Sequence, residues 1–356
     1  MIEVDNSQSD LFQLSNEMEF GDIHFKHDSE TGLNAIIAIH NTNLGPALGG
    51  CRFVPYHSTQ AAMYDAMRLA QGMSYKAAIA GLELGGGKSV IIKPPKIKDR
   101  QKLFAAFGCF IEELNGRYIT AIDSGTTVDD MDAIATTTSY VASTSQQAIA
   151  TGDPSPYTAL GVRRAIEAAV KIKFNKDSLD GIHVAIQGMG HVGYYLAKEL
   201  HELGANLSFC DINPENTEKA KKAFAGVEYS ADEIFDVECD VFAPCALGDA
   251  INKKTVGQLN TGIIVGAANN QLASPEIGKD LQERDILYVP NYVANAGGLI
   301  QIAMDNEEKA LTKVNNIYET VLNIFQASKR NNQTPEETAN FLAKQIIVKA
   351  GTKNAA

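Results

Sequence analysis

The segment HVAIQGMGHVGYYLAKEL, residues 183–200, joins an apolar strand-like run to an amphipathic helical one through Gly188, Gly190 and Gly193. A triplet spaced G-x-G-x-x-G leaves a chain few options. The first glycine permits a tight turn, the second lets a pyrophosphate approach the backbone, and the third lets helix and strand pack closely. The helix N-terminus then presents unsatisfied N–H groups to the phosphates. Roughly twenty residues on, as such units require, a second strand-like run ends in Cys210-Asp211, where a carboxylate can accept hydrogen bonds from ribose hydroxyls. Strand, triplet, helix, strand and terminal acid in this order specify a Rossmann-type dinucleotide unit. Asp211 would repel a ribose 2′-phosphate, and Ile212-Asn213-Pro214 supply no arginine to neutralise one, so the expected cofactor is NAD rather than NADP.

The 356 residues suit two domains. The first half offers strand-like runs at 34–40 (NAIIAIH), 88–92 and 118–122, with helix-like windows at 59–73 and 101–114. From Pro154 strand and helix alternate regularly: a helical window at 158–171, then HVAIQG, NLSFCDI, DVFAPC, GIIVGAANN and ILYVPNYV as strands of a parallel, doubly wound sheet. Helical windows follow at 299–304, 308–329 and 336–348, and the last of them is expected to return to the first domain. The expected division is 1–150 with 325–356 against 151–324, with a hinge at Asp153-Pro154-Ser155-Pro156, where two prolines stiffen a polar crossover.

A second glycine cluster, GLELGGGKSV at 81–90, imitates a phosphate loop but is not one. The spacing G-x-x-x-x-G-K-[ST] would need glycine where Leu82 stands, and Lys88 leads into a β-branched run ended by Pro94-Pro95 rather than into a helix. Other classes fall on composition. A net charge of −12 argues against nucleic-acid binding, which needs clustered cations. The five cysteines, without paired spacing, suggest neither a disulfide framework nor a zinc site, and the seven histidines form no metal-ligand pair. An acidic, polar start and the lack of a long apolar run point to the cytoplasm, with no membrane association.

Lys88 then needs another role. It and Lys76, in GMSYKAAIAG, sit among small and apolar residues that would desolvate an ammonium and lower its pKa, which suits a base working near neutral pH. Each could equally be an ordinary solvated lysine. Asp123, following the run YITAI and preceding Ser-Gly-Thr-Thr, is placed either to cap a helix or to exchange protons.

These blocks together resemble the NAD-dependent amino acid dehydrogenases of the leucine, valine and phenylalanine type, leucine-type members being nearest. The resemblance runs from about Leu44 to Ala327 and rests on LGPALGG (44–50), GMSYKAA (72–78), LGGGKSVII (84–92), LNGRYITA with DSGTTVDDMD (114–132), GDPSPYTALGV (152–162), CDVFAPCALG (239–248), AANNQL (267–272) and YVANAGGLI (292–300). It implies reversible oxidative deamination of an L-amino acid to a 2-oxoacid and ammonium, with an N-terminal α/β substrate domain and a homo-oligomer built through it. By similarity Lys76 binds the substrate carboxylate with the backbone at Gly49 and Gly50 and with Asn270, Lys88 is the base that activates water, Asp123 carries the amino-group proton, and Thr158 orients the nicotinamide carboxamide. Leu48, Ala121, Leu299 and Ile302 are implied to line the side-chain pocket. Their apolar character implies a hydrophobic substrate, and the bulk of Leu299 and Ile302, where leucine-type members tend to carry valine, implies a branched-chain aliphatic one. Leu299 is shared with the aromatic-specific branch, so phenylalanine or another aromatic amino acid is the alternative, and a non-enzymatic NAD-binding sensor is the reading from another class. Departures from leucine-type members are Ile122, Ser124, Asn291 and Ala294, and the segment after Ile302 is shorter than in the family.

Overall fold

The computed structural model describes residues 11–20, 22–147, 153–246, 248–304 and 306–354. They divide into two compact units, Met1–Gly152 with Ala343–Ala356, and Asp153–Leu342. The break falls between Gly152 and Asp153, and Ser155 and Pro156, expected in a polar crossover, already open a helix. The expected return at 325 shifts to Ala343, because the helix Ile317–Asn331 packs against Ser155–Phe174 of the second unit.

The first unit is a five-stranded sheet built from β1 (Asp22–Asp28), β2 (Leu33–Asn41), β3 (Ala47–Val54), β4 (Gly85–Ile92) and β5 (Tyr118–Ile122), in the order β1-β2-β4-β3-β5. The β1–β2 and β2–β4 pairs are antiparallel, and β3 pairs in parallel with both β4 and β5. Helix α1 (Leu11–Glu17) precedes it. Helix α2 (Thr59–Ile79), whose Ser58 cap accepts from the Ala61 N–H, covers one face by burying Ala62, Ala66, Met67 and Ala70 against Ile36, Ala38 and Val90. It outruns the expected window by most of two turns, so Lys76 lies in its last turn. Helices α3 (Arg100–Glu112) and α4 (Val128–Ala135) cover the other face, where Phe53 and Phe104 meet edge-on at 5.3 Å. Burying rings of this size contributes roughly 1.5–3 kcal/mol each.

His40 of β2 is buried beneath α2, with Nδ1 2.8 Å from the Ser74 hydroxyl and the Phe20 ring edge-on at 5.0 Å. Burial holds its pKa down to about 4. The folded state therefore resists protonation between about pH 6.5 and 4 while the unfolded chain accepts it, so stability is complete above that window and falls as pH drops through it. The expected loss is about 3 kcal/mol at about 1.4 kcal/mol per pH unit. Urea midpoints taken across this window should fall steeply for the wild type and less for His40→Gln; equal slopes would refute the assignment.

The second unit holds six strands, β6 (His183–Gln187), β7 (Asn206–Cys210), β8 (Gly226–Glu228), β9 (Glu238–Pro244), β10 (Asn260–Ile264) and β11 (Leu287–Tyr288), in the order β11-β10-β9-β6-β7-β8. Every pair is parallel. Counted from β6, this is the 3-2-1-4-5-6 arrangement of a doubly wound sheet, whose ligand site lies where the order reverses, at the carboxyl ends of β6 and β9. The helices are α5 (Ser155–Phe174), α6 (His191–Glu202), α7 (Pro214–Ala223), α8 (Pro275–Glu283), α9 (Asn291–Ala294), α10 (Gly297–Ala303), α11 (Glu307–Asn315), α12 (Ile317–Asn331) and α13 (Pro335–Asn354). The single helix expected over 308–329 breaks at Asn316, where two adjacent asparagines compete for backbone hydrogen bonds. The strand expected through ILYVPNYV shrinks to two residues, because Pro290 ends it and α9 follows. No helix among the described residues is long and apolar enough to cross a membrane. The last helix carries the chain back to the first unit, where Lys344 pairs with Glu19 at 3.1 Å and Asn43 donates to the Ile347 carbonyl at 3.2 Å.

Candidate functional site

In the first unit, alternation along the strands puts several site candidates on the sheet face shared with α2. Gly50 pairs with Ala121 and Leu48 with Gly86, so Leu48, Gly50, Lys88, Ala121 and, just beyond β5, Asp123 point to one side. Leu48 and Ala121 are buried. Lys88, 6 % exposed as a residue, contacts Asp123 Oδ2 directly through its ammonium group. Gly50 makes room for this pair, since a Cβ there would stand 2.7 Å from the Asp123 side chain. Asp123 is no helix cap: Thr127 caps α4 reciprocally with Asp130, while the Asp123 N–H donates to Thr126 Oγ1 at 2.9 Å and its Oδ1 accepts from the Ser124 N–H at 2.5 Å.

Burial is the main force on Lys88 and pushes its pKa down to about 7, with the Arg52 guanidinium next in effect. Asp65 acts the other way, as does the carboxylate of Asp123 in direct contact. The charge of Lys76 is the smallest of the influences on Lys88. Lys76 is lowered to about 8 by its own desolvation. Arg52 and the buried Asp65, joined at 2.7 Å, belong to this site and escaped the sequence reading. The signal was there: a cation within the strand ALGGCRFV and an acid on the alanine-lined face of α2 both defy the apolar pattern around them.

Gly86 and Gly87 of GLELGGGKSV serve close packing. A Cβ at Gly86 would fall 2.1 Å from the Ser74 nitrogen of α2, and one at Gly87 would fall 2.7 Å from the Tyr118 ring. They let helix and strand close on each other, which buries Lys88. Tyr118, itself fully buried, hydrogen-bonds the Gly49 carbonyl at 2.7 Å and the Ser89 hydroxyl at 3.0 Å, locking β3 and β4 around the lysine.

In the second unit, Gly188 takes φ +97°, a turn that other residues resist, at the end of β6. Gly193 is pressed to the Gly188 carbonyl, where a Cβ would stand 2.0 Å away. A Cβ at Gly190 would meet nothing within 4 Å, leaving the backbone open to a ligand. Gly190 is also the N-cap of α6 and contributes no capping side chain. Asp211 Oδ2 accepts from the Met189 N–H at 2.6 Å and Oδ1 from the Asn213 N–H at 2.8 Å, which ties the acid to the glycine turn and leaves each oxygen a further lone pair. The residues fit a dinucleotide.

Thr158 in the first turns of α5 lies against Gly298 of α10, its hydroxyl donating to the Pro154 carbonyl at 3.2 Å. Leu299 is buried and Ile302 half-buried on α10. Asn270 holds a left-handed backbone at φ +50°, which asparagine tolerates, in a loop stiffened by Gln271, whose Nε2 donates to the Gly266 and Ala268 carbonyls. Asn295, unassigned from sequence, fastens this loop to α9 through Asn269 Oδ1 at 2.8 Å. Of the departing residues, Ile122 is exposed, and Asn291 Oδ1 lies 3.4 Å from the Tyr288 hydroxyl. In the shortened segment α10 ends at Ala303 and α11 begins at Glu307.

Comparison with known proteins matches residues 18–140 to the Glu/Leu/Phe/Val dehydrogenase dimerisation domain, and residues 153–211 and 211–353 to the Glutamate/Leucine/Phenylalanine/Valine dehydrogenase family. A leucine dehydrogenase of Geobacillus stearothermophilus is 47 % identical over 95 % of this chain and 93 % of its own. A phenylalanine dehydrogenase of Bacillus thermotolerans is 42 % identical, covering 97 % and 92 %. The crystal structure of L-tryptophan dehydrogenase from Nostoc punctiforme superposes with TM-score 0.86 at 41 % identity, over 96 % of this chain and 99 % of that one.

Proposed function

The chain belongs to the glutamate, leucine, phenylalanine and valine dehydrogenase family, and from that premise we propose that it oxidatively deaminates branched-chain aliphatic L-amino acids with NAD. The observation that carries the reading is the buried Lys88–Asp123 pair, a lysine held near neutral pH in contact with a proton acceptor. In the deamination direction Lys76 holds the substrate carboxylate, with the Gly49–Gly50 backbone and Asn270. The bound dinucleotide supplies the hydride acceptor for Cα. Asp123 takes a proton from the substrate ammonium. Neutral Lys88 removes a proton from the water that attacks the iminium carbon, and Asp123 returns one to the departing ammonia. The net change is amino acid, NAD⁺ and water to 2-oxoacid, ammonium, NADH and a proton.

Gly188, Gly190, Gly193 and Asp211 are assigned to the dinucleotide and Thr158 to its carboxamide. The matched dimerisation domain supports a homo-oligomer through the first unit. Turnover of L-leucine should yield 2-oxoacid, ammonium and NADH in equal amounts; NAD binding without products would leave the sensor reading instead.

Leu48, Ala121, Leu299 and Ile302 offer the substrate side chain hydrocarbon alone. One methylene in such surroundings changes selectivity by about 1–3 kcal/mol, so leucine, isoleucine and valine should differ by roughly 10- to 200-fold at most. Leu299→Val should shift kcat/KM further towards leucine. An unchanged ranking would remove Leu299 from the specificity set.

A further inference from the structure

A guanidinium stands between two carboxylates beside Lys88, and the proton-transfer reading gives it no task. Arg52 leaves β3 on the same face as Gly50. Its Nη1 donates to Asp65 Oδ2 at 2.7 Å, and its Nε lies 3.7 Å from Asp123 Oδ1. Asp65 is 3 % exposed and is fixed further by the Tyr56 hydroxyl, which donates to Oδ2 at 2.6 Å, and by Arg68, 3.5 Å from Oδ1. The Arg52 Nε is buried and makes no hydrogen bond among the described residues. Asp123 is the carboxylate towards which it reaches.

We propose that Arg52 is a positioning residue for proton transfer: buried Asp65 anchors its guanidinium, which steers the Asp123 carboxylate onto Lys88 and sets a permanent positive charge beside the Lys88 amine. The inference rests on the reading of Lys88 and Asp123 as the proton-transferring pair. Arginine suits the task because it stays protonated throughout the working pH range and its planar fork addresses two carboxylates in fixed directions. Lysine would serve one at a time. The titratable and charged groups acting on Lys88 are Arg52 from β3, Asp65 and Lys76 from α2 and Asp123 after β5, with Cys51 of β3 on the opposite sheet face. Cys51 stays a neutral thiol, its pKa pushed up to about 12 by burial. Arg52 and Lys76 disfavour the ammonium, whereas Asp65 and Asp123 favour it. Arg52 and Asp65 therefore act on Lys88 with opposite signs.

The test is the pH dependence of kcat/KM for L-leucine and NAD in the wild type, Arg52→Gln, Arg52→Lys, Asp65→Asn and Lys88→Ala, with a thermal melt of each. Arg52→Gln should move the acid limb up by about half to one pH unit and lower kcat at least about tenfold. Asp65→Asn should move the limb down and also lower kcat, because the guanidinium loses its anchor. Arg52→Lys should leave the limb near its wild-type position and restore only part of kcat. If Arg52→Gln fails to fold, the downward shift in Asp65→Asn against the unmoved limb of Arg52→Lys carries the test. For a folded variant without turnover, the pH dependence of trapping Lys88 with an aldehyde and cyanoborohydride, read by peptide mass, gives the same titration. An unmoved limb in folded Arg52→Gln or folded Asp65→Asn, or shifts of one sign in the two, overturns the proposal. Full turnover in Lys88→Ala would instead overturn the reading beneath it.

Discussion

Replacing Lys88 with alanine should lower kcat for amino acid oxidation by about a thousandfold, within the range that positioned acid–base groups contribute, while NAD binding stays unchanged. The lysine is buried on β4 in the first unit, and the dinucleotide is assigned to Gly188, Gly190 and Gly193 of the second, so chemistry and cofactor affinity should separate. Folding should survive. The substitution removes a charge whose burial is costly, and Arg52 remains close to Asp123. Lys76→Ala should act differently, raising KM for the amino acid more than it lowers kcat, because carboxylate binding serves ground state and transition state alike. A Lys88→Ala enzyme with near-normal kcat would contradict the role assignment.

The second large effect concerns the cofactor. NAD should exceed NADP in kcat/KM by about a hundredfold, since bringing a 2′-phosphate against a carboxylate costs several kcal/mol. Asp211 closes β7 and is pinned to the glycine turn by the Met189 N–H, so it cannot swing clear without opening that turn. The following residue, Ile212, is 90 % exposed and brings no charge. Asp211→Ser should narrow the gap by relieving the repulsion. Equal use of both cofactors by the wild type would show that Asp211 does not face the ribose.

The parts of the fold legible in the sequence were those with a strong period or a fixed spacing. β5 coincides with its expected span, 118–122, and the glycine triplet lies at the strand-to-helix turn its spacing demands. β1 went unread because DIHFKHD lies at the sheet edge, half exposed, with only Ile23 and Phe25 apolar among its residues. β3 went unread for the opposite reason: ALGGCRFV is almost wholly buried, and its glycines have weak strand propensity. That omission also hid Arg52. Helix α4 announces itself through Thr127 and Asp130, a capping box that was read only as part of a longer motif. Lys88 and Asp123 were legible as candidates, but their contact depends on glycine-mediated packing of α2 on β4, a tertiary effect that no local pattern encodes. Desolvation, the largest cause of the lowered Lys88 pKa, was legible in its small and apolar surroundings, but the Arg52 charge was not, because it reaches the lysine only once β3 and β4 pair.

The most direct test of the central claim is a panel of kcat/KM values for leucine, isoleucine, valine, phenylalanine and tryptophan, each as the L-amino acid with NAD at one mildly alkaline pH. The account predicts the three aliphatic substrates first, within roughly 200-fold of one another, with phenylalanine and tryptophan well behind. A panel led by phenylalanine or tryptophan, or one with no NADH formed from any of the five, would contradict it.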